Sequence, residues 1–242
     1  MDGTTEPIIA VIGHPIAGNP SQFAVERALH EMKLEWRVLS FDVAPDDIAA
    51  ALEGFSVTGI AGVLIDPSVE AAASRWYAEK TSDPDVVIDC LFRDQDSNLV
   101  GSYEQLAWVD DRIAQHAGER RIWLGDSLQH SPISRDGFAE QPVSVPPEPD
   151  LIARADLIVI AHGASEPTCL EAEDWPEDDG STLVIDLTLG HPEQPLIRQL
   201  GYVVAGNLER QIGTLQRCLA RWTGNKASAE VIYDAIEEYL GV

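Results

Sequence analysis

Short apolar runs separated by amphipathic stretches constrain this chain more than any other feature. IIAVI (8–12), AGVLID (61–66), RRIWLGD (120–126), DLIVIAHGA (156–164) and LVIDLTL (183–189) each suit one buried strand and are too short for a core helix. EWRVLSFDV (35–43) and YVVAG (202–206) read as further strands. Between them lie helical stretches. SQFAVERALHEMK (21–33) spaces Phe23, Val25, Ala28, Leu29 and Met32 along one face, with Ser21 as its expected N-cap. PDDIAAALEGF (45–55) opens on Pro45 with acids in its first turn. SVEAAASRWYAEK (68–80), EQLAWVDDRIAQHAG (104–118), LERQIGTLQRCLARWTG (208–224) and ASAEVIYDAIEEYL (227–240) complete the set. DVVIDCLFRD and NLVGSY predict a hairpin across DQDS. Strands alternating with helices predict an α/β layer architecture. Residues 127–150 hold five prolines and no helical stripe, which predicts a shortened crossover.

Composition narrows the function classes. Forty-one acids against 16 bases give a formal charge of −25, which disfavours nucleic acid and anionic membranes, since both need basic faces. Only three of the bases are lysines. The surplus acid reads as a solvated surface or as adaptation to high salt. No apolar run reaches eighteen residues, and MDGTTEP has neither a basic stretch nor an apolar core. The three cysteines (90, 169, 218) show no ligand spacing and are expected to be reduced thiols in a cytoplasm. No metal site, P-loop, HExxH or GxSxG pattern appears. Of six histidines, His14, His162 and His191 follow strands, where α/β sites gather.

Three segments stand out in order: VIGHPIAGNPSQF (11–23), GIAGVLIDPSVEAAA (59–73) and LVIDLTLGHPEQPLIRQLGYVVAGN (183–207). Together they resemble shikimate dehydrogenase, a two-domain α/β family that reduces 3-dehydroshikimate with NADPH. In that family two serines of the first segment hold the substrate carboxylate; here those positions are Asn19 and Ser21. The proton-transferring lysine of the second segment falls on Ser68 or Val69, and Glu70 beside it is expected to be solvated. The catalytic aspartate after the hairpin falls on Gln105, with Glu104 one residue early. The substrate-binding glutamine near the C-terminus falls on Gly213 or Thr214, with Gln211 and Gln216 close by. Where the family has its glycine-rich phosphate turn, this chain reads Ser127-Leu128-Gln129-His130-Ser131-Pro132, and only Gly125 remains for cofactor contact. Trp222-Thr223-Gly224 matches the family's helix end and is expected to pack rather than bind.

The resemblance therefore implies a substrate-type α/β domain over 1–105, a reduced Rossmann-like domain over 106–222, and a last helix (223–242) packing back on the first. It implies no confident catalytic residue, substrate contacts from Asn19, Ser21, Gln105 and Gln211, and NADP as cofactor if the chain is active. The expected function is a catalytically impaired relative that binds shikimate, 3-dehydroshikimate or a related hydroxylated carboxylate. Two alternatives stay open: an active NADP-dependent oxidoreductase with an altered site, and a non-catalytic interaction module. A protein partner or a homodimer also stays open.

Overall fold

The computed structural model describes residues 6–116, 118–125, 136–141, 148–161, 172–188 and 192–241. The chain forms two compact units. The first runs to Gln105 and resumes at Ile212; the second spans Leu106–Gln211.

The first unit begins with β1 (Ile8–Gly13), α1 (Ser21–Glu31) and β2 (Arg37–Asp42). A 3-10 turn at Pro45–Asp47 leads into α2 (Ile48–Thr58), followed by β3 (Gly62–Ile65) and α3 (Glu70–Thr81). The expected helix from Pro45 thus starts as a tighter turn and becomes α-helical at Ile48. The hairpin is β4 (Cys90–Arg93) with β5 (Leu99–Ser102), antiparallel as predicted. The sheet order is β2-β1-β3-β4-β5, with β1 parallel to both β2 and β3. Centrality explains why Ile9, Ala10, Val11 and Ile12 are all buried: both faces of β1 are covered, so no polar alternation is possible. One face carries Ile48, Leu52, Val69, Ala73 and Trp76 from α2 and α3. Burying each such aliphatic side chain contributes about 1.5–3 kcal/mol.

Two helices close the chain, α7 (Asn207–Thr223) and α8 (Ala229–Leu240). α8 lies against α1, where Arg27 pairs with Glu238 and Phe23 meets Tyr239 at 6.1 Å. Trp222 does pack: its indole N–H donates to the Leu91 carbonyl at 2.9 Å, and its ring covers Gly62 so closely that a Cβ there would sit 2.2 Å away. Gly62 is therefore set by the tryptophan rather than by its own backbone. Arg93 ends α2 by donating to the carbonyls of Phe55 and Ser56, both at 3.0 Å.

The second unit opens on α4 (Glu104–Gln115), which begins in the first, and continues with β6 (Arg121–Leu124), β7 (Phe138–Gln141), α5 (Pro149–Ile152), β8 (Leu157–Ile160), β9 (Leu183–Asp186), α6 (Gln194–Gln199) and β10 (Val203–Ala205). Its sheet, β10-β9-β8-β6-β7, is wholly parallel. Ile122, Leu124, Ile158 and Ile160 face one layer with Trp175 and Tyr202, while Trp123, Leu157, Val159 and Ile185 face the other with Trp108. That alternation within each strand follows from the two-residue period of extended backbone.

One expectation is corrected here. Residues 127–150 are more than a shortened crossover, because Phe138–Gln141 adds a parallel edge strand to β6. Four residues give too little periodicity to be read locally, and the strand forms because β6 and Trp123 offer it a partner, with Phe138 edge-on to Trp123 at 5.8 Å.

Among the described residues, no helix is long and apolar enough to cross a membrane, and no group of three or more His, Cys, Asp or Glu side chains is placed to hold a metal ion. Cys90 and Cys218 are buried free thiols; burial, then a hydrogen bond to Cys90, pushes the Cys218 thiol well above its ordinary value. Cys169, His130, His162 and His191 lie outside the described residues.

Candidate functional site at the end of the first sheet

In the first unit the chain leaves β1 toward β2 on one side and later returns to β3 on the other. The crevice outside the carboxyl ends of β1 and β3 is therefore a topological switch point, where open α/β sheets bind their ligands. A connected set of polar side chains occupies it. The Asn19 amide donates to Asp66 Oδ2 at 2.7 Å, and Asn19 Oδ1 accepts from the Ser21 backbone N–H at 2.8 Å. Asp66 Oδ1 also accepts from the Ser68 N–H at 2.9 Å and from the Ser68 hydroxyl at 2.5 Å. The Ser68 hydroxyl in turn accepts from the His14 backbone N–H at 2.9 Å. His14 Nδ1 lies 2.7 Å from Asp42 Oδ1 at the end of β2.

Two local features make this possible. Gly13 ends β1 where a Cβ would come within 2.8 Å of the Asp66 Cβ, so the glycine lets Asp66 lie across the strand end. Asn19 caps the start of α1 from outside the helix. Ser21 is the first helical residue rather than the N-cap, and it is buried. The N-cap expectation for Ser21 is thus corrected: the helix starts one residue earlier, with Pro20 at the N-cap, and the Ser21 N–H is met by Asn19.

Further carboxyls stand beside this set. Asp89 precedes β4, and its carbonyl accepts from the Ile65 N–H at 2.9 Å. Its carboxylate caps α4, accepting from the N–H groups of Glu104 and Gln105, each at 2.7 Å. Burial raises it to about 6 even so, although those N–H groups oppose the shift. Glu70 opens α3 and is half-buried, less solvated than expected: burial and then the Asp89 charge push its carboxyl up to about 7. The neighbouring carboxylate, invisible in the local pattern, accounts for part of that rise. Burial also pushes the Glu104 carboxyl up, but the Ser102 hydroxyl and the Arg221 and Arg217 guanidinium groups more than reverse it. Arg217 and Arg221 reach it from α7 at 2.9 and 2.7 Å.

The predicted site residues divide accordingly. The structure brings Asn19, Ser21 and Ser68 together. Val69 is buried in the core. Gln105 starts α4, donates its N–H to Asp89 and has its amide 3.4 Å from the Tyr103 hydroxyl. Gln211 is the last residue of the second unit. Sequence reasoning missed Asp66 and Asp89 as site residues. An acid inside the apolar run VVIDC was a usable signal, because a buried carboxylate must find donors.

The second sheet has its own switch point, between β6 and β8. Gly125 follows β6 with φ +114, and a Cβ there would sit 2.8 Å from the Ala161 carbonyl. Its role is to let two strand ends approach. At the end of β9, the buried Asp186 accepts from the Thr188 N–H at 2.7 Å and from the Gln194 amide.

Comparison with known proteins agrees with this frame. No protein-family model matches the chain. The NADP(+) shikimate dehydrogenase of Geobacter metallireducens is 34% identical over 55 residues, which is 23% of this chain and 19% of that protein. The match thus spans about a fifth of that relative. The shikimate-bound shikimate 5-dehydrogenase of Thermus thermophilus superposes with a TM-score of 0.68 at 16% identity, covering 98% of this chain and 100% of that one. Mycobacterium tuberculosis shikimate dehydrogenase gives 0.69 at 15% identity, over 96% and 99%. Ligand-free 5-ketofructose reductase of a Gluconobacter strain gives 0.71 at 15% identity, over 98% and 99%. The chain therefore has the two-unit α/β fold of the shikimate dehydrogenases across nearly its whole length, with a short stretch of shared sequence.

Proposed function

We propose that this protein is a shikimate dehydrogenase-like protein impaired in that family's reaction, which still takes up a small hydroxylated molecule at the end of its first sheet. The observation that carries the reading is the state of positions 68 and 105. A lysine–aspartate pair works by exchanging a proton and setting each other's pKa. Ser68 instead gives its hydroxyl to Asp66 and takes the His14 N–H. Gln105 carries an amide that takes up no proton near neutral pH.

NADP is the cofactor the fold implies, and the residues present do not fit it. A pyrophosphate needs a glycine-rich turn ahead of a helix N-terminus. Gly125 is the glycine left, where a Cβ would meet the Ala161 carbonyl; the sequence after it, Ser127-Leu128-Gln129-His130-Ser131-Pro132, supplies no further glycine and lies outside the described residues.

The test is NADPH oxidation with 3-dehydroshikimate, followed against a no-protein control. Turnover at the control rate is expected; saturable turnover well above it would overturn the reading. An active oxidoreductase with an altered site is the second reading, favoured by one observation: Glu70, raised to about 7, is poised to exchange a proton near neutral pH. Turnover abolished by Glu70→Gln would establish that alternative.

A further inference from the structure

We propose that the molecule taken up at the end of the first sheet is an uncharged polyhydroxylated compound, a polyol or a ketose, and not a carboxylate. This rests on the reading that the first-sheet site binds a small hydroxylated molecule. Its basis is where the donors go. The Asn19 amide and the Ser68 hydroxyl and N–H are all directed at Asp66. The N–H groups of Glu104 and Gln105 are directed at Asp89. Arg217 and Arg221 are directed at Glu104. These donors thus face carboxylates that the protein itself supplies. An incoming carboxylate brings only acceptors and a like charge. A polyol brings O–H donors to oxygens with unused lone pairs: an ionised carboxylate offers about four, of which Asp66 uses three.

A second, independent feature is a buried hydroxyl that a ligand hydroxyl can satisfy. The Thr214 hydroxyl has no hydrogen-bond partner among the described residues, although the residue is only 9% exposed. Thr214 lies three and four residues before Arg217 and Cys218, on the face of α7 that meets Glu104 and Cys90. A buried hydroxyl without a partner is costly unless something supplies one. A hydroxyl group on the ligand can donate to it and accept from it without adding charge.

A matched pair isolates the charge. Shikimate and its methyl ester differ by one negative charge at nearly equal shape, and calorimetric titration of the full chain compares them, with myo-inositol and fructose as further neutral probes. We expect the ester to bind at least about tenfold tighter than the acid. Asp66→Asn should bring the two within about threefold, mainly by improving the acid. Should that variant fail to fold, molar KCl on the unaltered protein replaces it, since screening must narrow the same gap. Equal or tighter binding of the acid would overturn this inference and leave the proposed function standing. Binding of none of the four probes would overturn both. Tight binding of a neutral probe that Thr214→Val weakens would support the placement of that hydroxyl.

Discussion

The crevice between β1 and β3 and the crevice between β6 and β8 share one topology and differ, among the described residues, in what meets the glycine at the end of the first strand. In each sheet the first strand lies between the next two, so both are switch points. In each a glycine ends the first strand, and the missing Cβ is what matters. At Gly13 the space goes to a side chain, Asp66, which gathers Asn19 and Ser68 around its carboxylate. At Gly125 the space goes to a backbone carbonyl, that of Ala161. Among the described residues, one glycine makes room for a carboxylate and its donors, the other for main chain. Topology provides the place for a ligand, and the atom that fills one missing Cβ decides what chemistry the place retains.

Removing the charge anchor of the first crevice should have the largest effect. Glu104→Ala strips the buried partner from two guanidinium groups and, with water reaching both arginines, should cost about 3 kcal/mol. For a chain of this length, that is a fall in Tm of roughly 10 °C by calorimetry. A fall below about 2 °C would mean that water replaces the carboxylate, and the first crevice's buried polar set would count for less in the comparison.

Gly125→Ala should cost about 2–3 kcal/mol, because φ +114 and the Ala161 carbonyl both resist a Cβ. Gly13→Ala meets only side-chain atoms and should cost less, while shifting Asp66 and with it the affinity for neutral ligands. Equal unfolding free energies for the two variants in urea would break the comparison.

The third prediction concerns pH. Below about pH 4 the Glu70 carboxyl is protonated in folded and unfolded chains alike and contributes nothing. As pH rises the unfolded chain releases this proton first, so stability falls until about pH 7 and is level above. Glu70→Gln removes the penalty. It should therefore be more stable than the parent by about 2 kcal/mol at pH 8, with allowance for the part water reaches, and indistinguishable from it at pH 4. Chemical unfolding at both values decides it; a gain at pH 4 would point to packing instead. The smallest effect belongs to the exposed His14–Asp42 pair, where Asp42→Asn should cost under about 1 kcal/mol.

The two sheets also differ in how far they could be read in advance. The first unit's strands and helices follow its local periodicity closely, because IIAVI, AGVLID and the helical stretches each span at least one full period. β7 and α6 escaped, since FAEQ and QPLIRQ are too short to show one. Asn19 and Ser68 could be singled out in sequence, but their bond partner could not: Asn19 and Asp66 are 47 residues apart, and no local pattern relates them.

What the sequence by itself determined is the order of strands and helices, the acidic charge, and the absence of a lysine at 68 and 69 and of an aspartate at 105. These are properties of residue type and short-range spacing. Only the tertiary structure decided that Asp66 would hold the donors of the first crevice, that Glu70 and Asp89 would be raised by burial, and that Gly125 would serve a backbone contact. Each of those depends on which groups the sheet brings within a few ångströms and how much water it removes, and neither quantity exists until the strands are paired.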